Sequence, residues 1–323
     1  MDLPVRLRRL RKSRSLRRLS QETLLPTDQL IMPAFVTPGK KRTEPISTMP
    51  GVSRRSTDAL REWASELRAK AVLLFGVANR EEKDSEGSAA LDEEGLVPTS
   101  VSILKEERPD LTVITDVCLC AYTSHGQCGV VNRNNRVDND RTLELLGKMA
   151  TCHAAAGADL VAPSAMADGQ VKAIREALDG AGYYNVGIMS CSSKLASALY
   201  KPLREAMRYA PSSGDRNEYQ APPPNRREAL RESLLDEKEG ADWLMVKPAT
   251  SCLDVISELR RRTLCPIAAF HSSGEYTMIK TAAEAGAIDE MPTVMETVLS
   301  IKRAGADAIV TYYAEKICQW SNG

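Results

Sequence analysis

Short apolar runs alternate along this chain with longer stretches of helical period. Eight runs predict strands, at 31–36, 71–75, 112–117, 159–162, 186–189, 243–246, 266–270 and 308–312. Each is brief and almost continuously apolar, as a strand buried on both faces of a parallel sheet must be. Between them, 56–69, 140–156, 168–178, 225–239, 254–262 and 275–285 carry apolar residues at helical spacing. Gly157, Gly180, Gly240 and Gly286 stand at the ends of four of these, where a helix prefers to stop. The phrase Ala/Glu-Gly-Ala-Asp recurs at 156–159, 239–242 and 304–307, each time a helix end, a glycine and an Asp opening a buried strand. Eight strands with intervening helices predict an α/β fold, a (β/α)8 TIM barrel. An open doubly wound sheet is the alternative, but no G-x-G-x-x-G follows any strand. Two long connections, 119–139 and 191–224, are candidate functional loops.

Composition adds three constraints. The chain has 323 residues and equal numbers of cationic and acidic side chains, 43 of each, so its net charge argues for no nucleic-acid partner. No apolar run approaches a membrane span, and no secretory signal is evident, which predicts a reducing, cytoplasmic compartment. Within residues 1–18, Arg6, Arg8, Arg9, Arg11, Lys12, Arg14, Arg17 and Arg18 face one acid, Asp2, leaving +7 on this segment and −7 on the remainder. A solvated tail, a transit peptide and a nucleic-acid tail are open readings of such a segment. Docking on another subunit is preferred, because the rest of the chain carries the opposite charge. The expected organisation is therefore an arm for subunit contacts over 1–28 and a catalytic barrel over 29–323.

A TIM barrel builds its site at the C-terminal strand ends, and those ends are rich in chemistry. The sixth predicted strand runs straight into Lys247, and the fifth leads to Lys194. A buried lysine beside a second cation loses its proton readily, and its free amine attacks carbonyl carbon to form a Schiff base. A lone strand-end lysine more often snorkels to solvent; two on adjacent strands shift the balance toward catalysis. Cys118, Cys120 and Cys128 have the spacing C-x-C-x7-C, which suits zinc with one coordination position open, and His125 in the same loop could close the tetrahedron instead. Asp116 either moves protons for these groups or caps its loop. Arg204, Arg216 and Gln220 in the second long loop could grip a carboxylate. Ser273 and Tyr312 offer hydroxyls, for a second carboxylate or for buried partners of their own. Lysine and thiolate metal together narrow the reading to a Schiff-base enzyme that holds zinc and binds a small anionic carbonyl compound. A metal-free aldolase and a zinc-binding barrel without turnover are the competing readings.

The same residues sit in phrases that closely resemble the porphobilinogen synthase (5-aminolevulinate dehydratase) family in its bacterial zinc-containing form. These include DVCLCAYTSHGQCGV at 116–130, VDNDRTLELLGK at 137–148, APSAMADGQV at 162–171, RREALRESLLDEKEGAD at 226–242, MVKPA at 245–249 and SGEYTMIK at 273–280. The resemblance implies a (β/α)8 lyase of heme (tetrapyrrole) biosynthesis whose arm embraces a neighbour and whose dimers assemble into homo-octamers. It implies condensation of two 5-aminolevulinate molecules to porphobilinogen, with Lys247 forming the Schiff base and Lys194 as the second catalytic lysine. By the same resemblance, Cys118, Cys120 and Cys128 hold zinc and Asp116 is an acid of the site. Ser273 and Tyr312 hold the first substrate's carboxylate; Arg204, Arg216 and Gln220 hold the second's. Glu232 matches a position for an activating magnesium. The chain departs from the family's usual residues at Phe270 and His271 (for Tyr and Gln), Leu203 (for an aromatic), Lys201 (for Gly) and Cys191 (for Tyr), changes expected around the pocket wall and its lid.

Overall fold

In the computed structural model, which describes residues 3–209 and 216–321, eight parallel strands close into a barrel. In chain order the elements are α1 (Arg14–Leu19), β1 (Leu30–Val36), β2 (Thr43–Pro45), β3 (Ser53–Arg55), α2 (Thr57–Glu66), β4 (Ala71–Gly76), α3 (Leu96–Glu107), β5 (Thr112–Val117), α4 (Asn139–Ala155), β6 (Leu160–Pro163) and α5 (Gln170–Gly180). They continue with β7 (Gly187–Lys194), α6 (Lys201–Ala206), α7 (Arg226–Glu239), β8 (Trp243–Lys247), α8 (Leu253–Arg260), β9 (Ile267–His271), α9 (Ser273–Glu284), α10 (Glu290–Ala304), β10 (Ala308–Thr311) and α11 (Ala314–Ser321). The barrel runs β1-β4-β5-β6-β7-β8-β9-β10, and pairing of Leu30 and Ile31 with Ile309 and Val310 seals it. Its strands are buried almost throughout, so the apolar runs that predicted them are the core itself. Among the described residues no helix is long and apolar enough to cross a membrane.

The repeated Gly-Ala-Asp junction has a mechanical role. Gly157, Gly240 and Gly305 take positive φ values of 99°, 108° and 123°, which turn the chain out of its helix where a Cβ would be strained. The Asp that follows then reaches across to the preceding strand. Asp159, Asp242 and Asp307 accept the backbone N–H of Val113, Ile188 and Ile267, each at 2.7 Å. Three carboxylates thus staple neighbouring strands at the N-terminal rim, opposite the site. Gly180 does not act this way: α5 includes it, and Gly182 takes the left-handed turn.

Other differences from the pattern have local causes. β7 continues past Met189 to Lys194 because its serines find buried partners on α7. Ser190 donates to Asp236 at 2.6 Å, while Ser193 pairs with Ser233 and the Ala229 carbonyl, each at 2.7 Å. Polar residues that look like a loop therefore cost little within a strand. Helices α3 and α10 were not anticipated. Each carries a proline, Pro98 or Pro292, in its first turn, where the N–H has no intrahelical partner and proline is tolerated. The antiparallel pair β2–β3 is a further addition, joined to β1 at the mouth of the barrel.

Candidate active site

Four apolar residues carry β8 through the core and deliver Lys247 to its end, beside Lys194 on β7; the two are register partners. Both are almost fully buried, at 4% and 5% exposure. The Lys247 ammonium lies 3.9 Å from the centroid of the Phe270 ring and 5.2 Å from that of Tyr200. Burial pushes Lys247 down from 10.5 to about 8, and the Lys194 charge pushes the same way. Burial also opposes charge on Lys194, but the electrostatic pull of Cys128 first, and then of Cys191 and Cys118, outweighs it and raises this lysine. Lys194 donates to the Ser164 carbonyl. The two lysines are thus shifted in opposite directions, Lys247 toward the free amine and Lys194 toward the cation.

Asp116 stands on β5, opposite Ala162 of β6, and the Ser164 hydroxyl donates to it at 2.7 Å. Burial raises the Asp116 carboxyl, opposed by the Ser164 hydrogen bond and then by the two lysines. Ser164 therefore touches both Asp116 and Lys194, through hydroxyl and carbonyl. No role is predicted for it from sequence; its position directly after a buried Ala-Pro was the available signal.

The loop after β5 folds Cys118, Cys120 and Cys128 together. Their sulfurs all lie within 4.8 Å of one another, and each side chain is buried. Tetrahedral zinc with Zn–S bonds of about 2.3 Å needs sulfurs about 3.8 Å apart; the 3.2 Å between Cys118 and Cys120 is a small adjustment away. Hydrogen bonds from Cys118 and Cys120 pull Cys128 well below its usual range, toward the thiolate that a metal would bind. The donor set fits a thiophilic metal. His125 is not part of it. Its ring nitrogens meet the Ser85 carbonyl and the Gln127 N–H, each at 3.1 Å.

Four buried donor atoms of the residues predicted to hold carboxylates have no partner among the described residues: Nε of Arg204, Nε of Arg216, Nε2 of Gln220 and the Tyr312 hydroxyl. An unmet buried donor is costly, and a set of them suits an anionic ligand. Arg216 is buried, stacks over Tyr209 at 4.7 Å and donates to the Gly126 carbonyl at 2.8 Å. Tyr312 lies one ring from Lys247, its centroid 6.3 Å from that of Phe270. The Ser273 hydroxyl is occupied: it accepts from the Leu203 N–H at 3.1 Å and contacts the Leu199 carbonyl at 3.2 Å. Gly274 permits that approach, since a Cβ there would come within 2.5 Å of the same carbonyl.

The cysteines divide two cavities. An inner one of about 30 Å³ is lined by Asp116, Cys120, Ser164, Lys194, Lys247 and Phe270, among others. An outer one of about 380 Å³ is lined by Cys128, Gln220, Asp168, Glu228 and Glu232, among others. Glu232 thus stands apart from the lysines. Its half-buried carboxyl is pushed up by burial and then by Asp236, Asp168 and Glu228. Of the departures from the family pattern, Cys191, Leu203 and Phe270 line the inner cavity. Lys201 is exposed on α6, and His271 lies behind the wall, 3.1 Å from the Thr311 hydroxyl.

A family model described as Delta-aminolevulinic acid dehydratase matches residues 4–320. The chain is 51% identical to the delta-aminolevulinic acid dehydratase of Methanothermus sociabilis, over 97% of this chain and 98% of that one. It is also 51% identical to that of Escherichia coli (strain K12), over 97% and 96% of the two chains. A crystal structure of the Toxoplasma gondii ME49 enzyme in complex with the reaction product porphobilinogen superposes with a TM-score of 0.96, at 43% identity, covering 98% of this chain and 92% of that one.

Proposed function

Since the chain belongs to the delta-aminolevulinic acid dehydratase family and is a lyase, we propose that it condenses two molecules of 5-aminolevulinate to porphobilinogen with loss of two waters, supplying heme (tetrapyrrole) synthesis. The observation that carries this reading is the Lys194–Lys247 register pair beside the three-cysteine cluster.

The neutral Lys247 amine adds to the ketone carbon of the first substrate, and the carbonyl oxygen leaves as water. The resulting iminium withdraws electrons from its carbon and acidifies the neighbouring one. Lys194, whose neighbours favour its cation, and Asp116, whose carboxyl is raised by burial, deliver and accept protons on opposite sides of Ser164. C–C and C–N bonds join the two substrates, the second ketone oxygen leaves as water, Lys247 departs as a free amine, and a last deprotonation makes the ring aromatic. A zinc ion held by Cys118, Cys120 and Cys128 would supply Lewis acidity with one position open. Tyr312 and Ser273 receive the first carboxylate, Ser273 by releasing its contacts to Leu199 and Leu203. Arg204, Arg216 and Gln220 receive the second. A magnesium ion at Glu232 would relieve the crowded acids of the outer cavity.

The arm supports a homo-oligomer, read here as an octamer. Val5, Leu7, Leu10 and Leu19 are 57–85% exposed among its arginines, an apolar and cationic surface suited to the acidic remainder of a second copy. Light scattering after chromatography tests the assembly.

The deciding experiment measures porphobilinogen formed from 5-aminolevulinate with zinc supplied and with zinc chelated, alongside borohydride trapping of substrate on the chain. Zinc-dependent product and an adduct at Lys247 are expected. Product that survives full chelation would turn the reading toward a metal-free lysine enzyme. No product in either sample would refute it.

A further inference from the structure

The inner cavity has room for about two waters, far less than one five-carbon amino acid. Among its lining residues Leu203, Met207 and Tyr209 come from α6 and the turn after it, and this segment is taken as its cover. Substrate reaching Lys194 and Lys247 past this segment would need it to move aside and return.

Ser273 takes the Leu203 N–H and Lys83 the Arg208 carbonyl, and a further set of contacts on the segment comes from the β2–β3 hairpin. Arg54 of β3 is 5% exposed and sends its guanidinium to the C-terminal end of α6. Nη2 donates to the Glu205 carbonyl and Nε to the Ala206 carbonyl, both at 2.6 Å. A helix C-terminus carries partial negative charge, and the planar fork of arginine spans two neighbouring carbonyls as a lysine ammonium does not. The remaining nitrogen, Nη1, meets Glu44 at 2.8 Å, directly across the β2–β3 ladder. The other Glu44 oxygen takes Arg208, at the far end of the cover. Arg208 holds a φ of +51°, a left-handed conformation that a non-glycine residue keeps only where its surroundings enforce it. The hairpin itself is anchored. Tyr276 and Thr277 of α9 donate to the Pro50 and Thr48 carbonyls at 2.5 and 2.8 Å.

We infer that Arg54 is a positioning residue that latches α6 closed over the reacting lysines, with Glu44 as the counter-ion that aims its guanidinium. The catalytic meaning of the latch rests on the function proposed above; the latch itself does not. Opening the cover breaks two charge-assisted hydrogen bonds inside the protein, so loss of the fork should shift the closed population by about 10- to 100-fold.

The test compares the full-length parent with Arg54→Lys and Glu44→Gln. Amide hydrogen exchange is followed by mass spectrometry across 203–209 and across β1 and β4, with 5-aminolevulinate kinetics in parallel. Arg54→Lys should speed exchange at 203–209 by about tenfold or more and leave β1 and β4 at parent rates. Its KM should rise by more than its kcat falls, because substrate binding must now also close the cover. Glu44→Gln, which keeps an acceptor but loses the charge, should show the same pattern more weakly. Unchanged exchange at 203–209, or exchange that rises equally in the strands, would overturn the latch. If Arg54→Lys does not fold, Glu44→Gln decides on the same readouts. If the parent makes no porphobilinogen, exchange still decides the latch, and only its catalytic meaning falls.

Discussion

Replacing Lys247 by methionine should abolish turnover and make the protein more stable at neutral pH. The buried ammonium is held at about 8 instead of 10.5. That gap, about 2.5 pKa units at about 1.36 kcal/mol each, means the charged lysine costs the folded state about 3 kcal/mol. Methionine is one heavy atom shorter and leaves a void of roughly methyl size, which returns about 1 kcal/mol of that gain. The net expectation is about 2 kcal/mol of added stability at pH 7. The sign follows from proton counting. Between about 8 and 10.5 the unfolded lysine binds a proton that the folded one does not, so the parent gains stability as pH rises through that window. The advantage of Lys247→Met is therefore complete below about 8, shrinks above it and is gone by 10.5. Urea denaturation of both proteins at pH 7 and pH 10, at one protein concentration because assembly contributes to the midpoint, measures it. A variant no more stable than the parent at pH 7, or equally favoured at both pH values, would show that Lys247 is not the desolvated amine described here.

Three further outcomes are expected. Lys194→Met removes the neighbouring positive charge that, with burial, lowers Lys247, so the pH midpoint for borohydride trapping should move up from about 8; an unmoved midpoint would dissociate the two lysines. Cys120→Ser should retain no zinc after dialysis where the parent keeps about one ion per chain, read by metal analysis and by the thiolate charge-transfer bands of a cobalt-substituted sample; full retention would remove the cysteines as ligands. Asp242→Ala deletes the carboxylate that staples Ile188 at 2.7 Å, and should cost about 1 kcal/mol in denaturation with kcat unchanged; an unaltered midpoint would make the repeated junction incidental.

The pattern of the chain settled the strands, and with them the fold, because a parallel barrel buries both faces of each strand and so writes itself as apolar runs. It also singled out candidates for the chemistry, since Lys247 must stand where the run of Trp243–Val246 ends, and three cysteines within eleven residues can hardly avoid one another. It was less informative where partners come from far along the chain. The buried serines of β7 look like a loop until α7 supplies Asp236 and Ser233. His125 looks like a ligand until the backbone takes both its nitrogens. Arg54 looks like one more surface arginine until its guanidinium meets two carbonyls some 150 residues away. Periodicity reports burial, which is a property of each residue and its neighbours in sequence. Hydrogen bonds and pKa shifts depend on distances between segments, so the opposite shifts of Lys194 and Lys247, the two cavities lined by Cys120 and by Cys128 and the contacts of Arg54 with α6 were decided only when the barrel closed.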